Sequence, residues 1–498
     1  MSVSDNLSVW LATAPAATFP RLDDDQTADV AIVGAGITGL SAALLLARAG
    51  RRVAVIDSGE LAHGVSGFTT AHLTTMNDIR YQNAERDFGA DRARLLAESS
   101  RAAIEQIAAF VAEESIDCDF ARLDGFLYTE NATDEELLHA EIDAAGRAGI
   151  AAEWTADTPL PFPIHRAIRL PDQAQLNPLP YLQALARAVE RLGGAVYELT
   201  HVTDIDGGER CMVTTERGVV TAGAVIIATH MPINDLYLIA KAKPYRSYVL
   251  GLRVDGPAPH GLFWDTVDPY HYTRAARDER GELLIVGGAD HLTGHESDAA
   301  ERFGQLESYA RARYAVSEVA YRWSAQWYES IDRLPFIGEY PLRANVYAAT
   351  GYGGNGMTFG TLSAMLLSDA ILGRENPYRE LYSINRIKPL AGVPEMIKTG
   401  IDEAVRFVAD RFRSDADDTG EIPLGEGRLI RLGGEQIAAY RDEHGLLHRL
   451  SPVCTHLGCI VNWNNAEKSW DCPCHGGRYR ATGEVIEGPP TENLKDKG

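Results

Sequence analysis

The 498 residues predict an α/β fold, with a Rossmann-like nucleotide-binding unit at the front of the chain and a small all-β module at its end. Three observations predict it. An apolar run at 30–33 leads into a glycine-rich turn and an apolar helix. A second strand and glycine-rich helix start recur near residue 350. From Ile422 onward, short alternating runs are broken by turn residues, Leu432-Gly-Gly-Glu and Arg441-Asp-Glu-His-Gly445, as in a compact sheet.

Val30 to Val33 reads as a short buried strand. It is followed by Gly34-Ala-Gly36-Ile-Thr-Gly39 and by a helix whose apolar positions Leu40, Ala43, Leu44 and Ala47 precede a stop at Gly50. A second strand, Val53 to Ile56, carries Asp57 at its tip. Strand, glycine turn, helix, strand, acid is the order a dinucleotide fold requires. The glycines let the backbone approach a pyrophosphate at the helix N-terminus, and Asp57 can bind a ribose hydroxyl. The three glycines alone would be weak evidence; their full context favours a nucleotide site over a purely structural turn.

Asn345-Val-Tyr-Ala-Ala-Thr350 reads as another strand. It leads through Gly351-Tyr-Gly353-Gly354-Asn355-Gly356-Met357-Thr358 into a helix with Leu362, Met365 and Leu366. A glycine-rich helix start can aim backbone amides at an electron-rich ring or a phosphate.

Near the C-terminus, Cys454-Thr-His456-Leu-Gly-Cys459 and Cys472-Pro-Cys474-His475-Gly form two mixed pairs, Cys454 with His456 and Cys472 with His475. Two thiolates for one iron and two imidazoles for the other are what a Rieske [2Fe-2S] centre needs, and such a cluster moves single electrons. Zinc also accepts two Cys and two His. Its usual C-x2-4-C and H-x3-5-H spacing differs, however, from two mixed pairs separated by the fifteen residues Leu457 to Asp471. Each half also carries a spare cysteine, Cys459 and Cys474, where a disulfide could join the two loops.

Length and charge bound the rest. A chain of this size predicts two or three domains. Forty-seven basic against 70 acidic residues leave a net charge of −23, which excludes nucleic acid and anionic membranes as expected partners. An acidic surface can steer a basic redox partner, although it also simply keeps a protein in solution. Cys118 and Cys211, outside the cysteine–histidine loops, read as free thiols. Met1 to Pro20 lacks a basic start and an apolar run, and no stretch reaches the length of a membrane span, so a cytoplasmic protein is expected. Pro377 to Pro394 reads as a connector. Glu395 to Arg413 reads as an amphipathic helix with a stripe of Ile397, Ile401, Ala404, Val405, Val408 and Phe412, and Asp415-Ala-Asp-Asp418 as a solvated hinge.

The long first part resembles the D-amino-acid oxidase-like flavoproteins, which include glycine and sarcosine oxidases. The matching pieces are the N-terminal fingerprint, Gly64-Val-Ser-Gly-Phe-Thr-Thr70, Val225-Ile-Ile-Ala-Thr229, Asp332-Arg-Leu-Pro-Phe-Ile-Gly338 and the Ala349-to-Thr358 run. This resemblance implies a Rossmann-like FAD-binding domain interleaved with a mixed-sheet substrate domain over residues 28–378. The FAD-binding parts fall at about 28–115, 172–232 and 332–378, the substrate roof at about 116–171 and 233–331, a linker at 379–420 and the Rieske module at 421–498. It implies FAD contacts from Gly34, Gly36, Gly39 and Asp57, from the backbone at Val202, and from Gly353, Gly354, Asn355, Gly356, Met357 and Thr358. Two roof segments, Pro269 to Arg274 and Ile285 to His291, match strands that face substrate in the family, making Tyr270 and His291 the candidate catalytic residues; ordinary sheet packing is the alternative for each.

The last part resembles the disulfide-bearing Rieske modules of cytochrome bc complexes, which implies a Cys459–Cys474 bond. Tyr479 matches a tyrosine that bonds a ligand sulfur. Gly477 stands where those modules usually carry a serine that bonds a bridging sulfide, so a potential below the top of the Rieske range is expected. Together the two resemblances imply an FAD-dependent oxidoreductase acting on an amine or amino-acid-like substrate, with hydride transfer to FAD and single electrons leaving through the [2Fe-2S] cluster to an outside acceptor or redox protein. Two alternatives stay open: electrons entering through the cluster, or an oxidase whose cluster is a sensor or staple. A Rieske oxygenase is disfavoured because no 2-His-1-carboxylate iron domain is evident.

Overall fold

A computed structural model of the protein describes residues 6–14, 17–233, 236–386, 414–415 and 419–498. The expected helix at Glu395 to Arg413 lies outside the described residues, as do residues 387–394 of the connector before it and 416–418 of the hinge after it.

The strands Val30–Val33 and Val53–Ile56 are apolar at every position and buried on both faces, as central parallel strands must be. They form the middle of a six-stranded sheet in the order Phe336–Glu339, Val346–Thr350, Ala224–Ile227, Val30–Val33, Val53–Ile56, Ala195–Tyr197. Only the Phe336–Glu339 edge is antiparallel to its neighbour. Alternate side chains point to opposite faces, which builds two cores from one sheet. Val30, Ile32, Val53 and Val55 pack with the helices Ile37–Arg48, Ala90–Glu113 and Gly356–Ile371. Ala31, Val33, Ala54 and Ile56 pack with a four-stranded sheet that contributes Val202, Ile205, Val213 and Val220.

A nine-stranded mixed sheet forms the second layer system. Its long strands Val316–Ser330, Ala242–Val254, Gly281–Leu292 and Tyr272–Asp278 are joined antiparallel, and Leu262–Asp265, Ala121–Thr129 and Arg166–Gln175 extend it. The expected division at 171/172 falls inside the strand Arg166–Gln175, and the short strand His72–Leu73 joins the same sheet from the front of the chain.

The C-terminal module consists of a three-stranded and a four-stranded sheet around Leu429, Ala438, Val461, Trp470 and Tyr479. The hairpin between Glu426–Leu432 and Glu435–Arg441 turns at Gly433 and Gly434, both with positive φ, as the Gly-Gly signal requires. The module is docked on the nine-stranded sheet. Glu467 lies between Arg246 of that sheet and Arg478 of the module, with side chains 3%, 1% and 5% exposed. Arg478 also holds Asp471 at 3.0 Å, and Asn6 donates to Glu467 at 3.1 Å. The backbones themselves touch. A Cβ on Gly294 would lie 2.8 Å from the Pro473 nitrogen, and one on Gly476 would lie 2.6 Å from Pro244 Cβ.

Candidate functional site

The first glycine turn is closed by contact of backbone with backbone. Gly34 has φ +109, and a Cβ there would fall 2.5 Å from the Ala228 carbonyl oxygen. A Cβ on Gly39 would fall 1.9 Å from the Gly34 carbonyl oxygen, so neither position admits another residue. At the neighbouring strand tip, Asp57 accepts the amides of Ala35 at 2.7 Å and Gly59 at 2.9 Å. Burial raises its pKa against those two bonds. Val202 opens the strand Val202–Asp206 and is buried in the same core as Ile56.

The second glycine-rich start converges on the first. A Cβ on Gly360 would meet Ile37 Cγ2 at 2.6 Å, so the helix Gly356–Ile371 presents its bare backbone to the first side chains of Ile37–Arg48. The hydroxyls of Thr38 and Tyr352 are 2.9 Å apart between them. Met357 and Thr358 are buried, and the Thr358 hydroxyl, sealed from solvent, has no hydrogen-bond partner among the described residues.

Above this loop sits the face of the nine-stranded sheet. Asp78 accepts the Gly354 amide at 2.6 Å and the Tyr270 hydroxyl at 3.2 Å, while its own amide donates to Asn355 Oδ1 at 2.9 Å. A Cβ on Gly354 would be 2.9 Å from both Asp78 Oδ2 and the Tyr270 oxygen, which explains this glycine. The Tyr270 and Tyr272 rings are 5.8 Å apart, and the Tyr272 and Ser247 hydroxyls are 2.7 Å apart. Ser247 and Trp327 flank the carboxylate of Asp290, whose pKa burial pushes up to about 7. Tyr245 stacks on Trp327 at 4.6 Å.

His291 does not join this group. It bonds the Tyr248 hydroxyl through Nε2 at 2.9 Å, and its Nδ1 faces the Leu292 carbonyl. Tyr248 in turn packs edge-on to Phe303. Successive strand residues point to opposite faces, so Asp290, not His291, shares the face of Tyr272 and Ser247. The structure brings Tyr270 to the glycine loop and leaves His291 on the other side of the sheet.

In the C-terminal module the four expected ligands fall in two close pairs. Cys454 Sγ is 3.1 Å from the Tyr479 hydroxyl and lies beside Cys472, and the rings of His456 and His475 are 5.2 Å apart. Burial, with His456 next to it, lowers His475 to about 4, which keeps that imidazole neutral, as a metal ligand must be. Cys459 and Cys474 are bonded to each other. That bond removes them from the ligand set and leaves two thiols and two imidazoles, the donor set of a Rieske cluster. The sulfurs of Cys459, Cys472 and Cys474 lie within 4.8 Å of one another, so the disulfide packs directly on the ligand loop.

Residues 29–370 match the FAD dependent oxidoreductase family. The chain belongs to that family. Residues 414–496 match the Rieske [2Fe-2S] domain. Among curated proteins the chain is 34% identical to YhfW of Bacillus subtilis (strain 168), named as a Rieske 2Fe-2S iron-sulfur protein, over 98% of this chain and 96% of that one. It is 28% identical to gamma-glutamylputrescine oxidoreductase of Escherichia coli (strain K12), over 72% of this chain and 86% of that one. Among solved structures, glycine oxidase from Geobacillus kaustophilus superposes with a TM-score of 0.62 at 20% identity, over 73% of this chain and 99% of that one. An L-amino acid deaminase from Proteus vulgaris gives 0.62 at 17%, over 76% and 98%.

This FAD dependent oxidoreductase therefore binds FAD and carries a [2Fe-2S] cluster in its Rieske domain. The chain's own geometry fits both groups. Two glycine-rich helix starts lie together with a buried Thr358 hydroxyl that has no hydrogen-bond partner among the described residues, and the disulfide leaves a two-thiol, two-imidazole donor set. Sequence reasoning missed Asp78, Ser247 and Trp327 because each is an ordinary residue in an ordinary strand or loop, and within the segment Ile285 to His291 it singled out His291 and not Asp290. It also missed Tyr328, which links the two parts. Among the described residues no helix is long and apolar enough to cross a membrane.

Proposed function

We propose that this FAD dependent oxidoreductase oxidises an amine or amino-acid-like substrate and releases the electrons singly through its Rieske domain to an outside one-electron acceptor. In this reading Gly34, Gly36, Gly39, Asp57 and the Val202 backbone hold the nucleotide, and Gly353 to Thr358 approach the flavin. Tyr270 faces substrate, and Cys454, His456, Cys472 and His475 hold the cluster. The relatives support the substrate class, since they are named for gamma-glutamylputrescine, glycine and L-amino acids. FAD takes two electrons as hydride from such substrates, whereas a Rieske cluster takes one at a time.

The observation that carries the coupling is Tyr328. Its fully buried side chain donates to the His475 carbonyl at 3.2 Å and accepts from Gln326 Nε2 at 3.0 Å. Its own carbonyl accepts the Gly353 amide at 2.9 Å. One residue thus spans the cluster-ligand loop and the glycine loop on the flavin side. Gln326 reinforces the span by donating to the Gly476 carbonyl at 2.9 Å.

The test is anaerobic stopped flow on the purified protein with a panel of amines and amino acids. Flavin bleaching should be followed, within a turnover, by the electron paramagnetic resonance signal of a reduced Rieske centre. Tyr328→Phe should slow that second phase while leaving bleaching intact. Wild-type peroxide production in a His475→Ala variant would make the cluster a bystander. A donor that reduces first the cluster and then the flavin, with no amine ever bleaching it, would reverse the direction.

A further inference from the structure

Asp290 presents a carboxyl group approached by Ser247 and Trp327 but by no cation among its main electrostatic neighbours. Its Oδ1 is sealed from solvent and has no hydrogen-bond partner among the described residues. Its strongest charged neighbours are two further acids, Asp78 and Asp268. Asp78 is answered by the Gly354 amide and the Tyr270 hydroxyl, with Arg80 and Arg333 nearby. The buried arginines of the sheet are committed elsewhere. Arg246 pairs with Glu467, and Arg274 donates to the carbonyls of Thr70, Ala71 and Leu176. A carboxylate removed from water without a cation is costly and calls for an explanation.

The surroundings supply one. Trp327 reaches Asp290 and carries Tyr245 stacked on it, and the Tyr270 and Tyr272 rings continue the wall toward Gly354. Aromatic faces next to a desolvated carboxylate favour a cation. The same surface repels a second carboxylate, because an anion placed there would meet Asp78, Asp268 and Asp290 together.

We infer that the substrate enters as an alkylammonium ion without a carboxylate at its reacting end, and that Asp290 pairs with the ammonium against the Tyr245, Trp327 and Tyr272 rings. The inference deepens the proposed function and rests on its placing substrate on this face. It selects alkyl amines and diamines over α-amino acids, although glycine oxidase and the deaminase share the fold.

The experiment titrates the FAD- and cluster-loaded protein with diaminobutane or glycine under anaerobic conditions and follows the perturbation of the flavin absorption band before any bleaching. Diaminobutane should bind and glycine should not. Asp290→Asn should raise the diaminobutane Kd about tenfold or more, the loss expected for one charge-assisted hydrogen bond. Asp290→Glu, which keeps the charge, should recover much of the affinity, and the flavin and cluster spectra report whether each variant is intact. Glycine binding in preference to diaminobutane, or equal diaminobutane affinity in wild type and Asp290→Asn, would overturn the inference. Asp290-dependent binding with no bleaching by any amine would instead sink the proposed oxidation and leave the cation site standing. Bleaching by amines with Asp290-independent affinity would do the reverse.

Discussion

Gly477 lies flat against Pro490: a Cβ at this position would sit 2.8 Å from Pro490 Cδ and 3.6 Å from Cys454 Sγ. The glycine in place of the usual serine is therefore a packing requirement of this module as well as a missing hydrogen bond. Gly477→Ser cannot simply add a hydroxyl toward a sulfide, because Pro490 must first move. Its expected outcome is a less stable cluster, seen as faster loss of visible absorbance on warming. A retained cluster with a raised potential would show that Pro490 yields freely.

Tyr479 provides the sulfur contact that remains, with its hydroxyl 3.1 Å from Cys454 Sγ. A hydrogen bond to a ligand sulfur stabilises the extra negative charge of the reduced cluster. Tyr479→Phe should lower the cluster potential by an amount on the order of tens of millivolts, where about 59 mV is tenfold in equilibrium constant. A redox titration followed by paramagnetic resonance checks it, and an unchanged potential would refute it.

Glu467 neutralises two arginines from different parts of the chain, Arg246 and Arg478, with all three side chains buried. Removing the carboxylate leaves both cations without it in a dry interface. Glu467→Ala should cost about 3–5 kcal/mol in denaturant unfolding. It should also loosen the Rieske domain from the sheet, with limited proteolysis showing earlier release of that domain.

Asp290 makes stability depend on pH with a defined sign. Its folded-state pKa of about 7 lies above the ordinary 3.8, so the folded protein keeps a proton that the unfolded chain has lost. The stability associated with that proton is fully present below about pH 4 and is lost as pH rises toward 7. Asp290→Asn should therefore gain on wild type as pH rises through this window, measured as the difference in Tm without substrate. The main groups around Asp290 are Ser247, Trp327, Tyr270, Tyr272, Asp78 and Asp268, and none of these supplies a cation to cancel the effect. A constant difference across the window would be the contrary result.

Local backbone chemistry made much of this protein legible from its residues alone. Gly34, Gly36, Gly39 and Asp57 announce a nucleotide turn because only glycine survives contacts as close as those at Gly34 and Gly39. Cys454, His456, Cys472 and His475 announce a cluster because ligand type and spacing are properties of short loops. The substrate face was not legible in this way. Asp78, Tyr270, Ser247, Asp290 and Trp327 come from separate segments, and which of two adjacent residues, Asp290 or His291, looks toward the flavin side depends on strand register and on the bulge near Arg246. A one-residue change of register exchanges the faces, and only long-range pairing in the nine-stranded sheet sets it. The same holds for Tyr328 and the Arg246–Glu467–Arg478 junction. Their chemistry is visible in the sequence, but docking of the Rieske domain on that sheet decided that they meet.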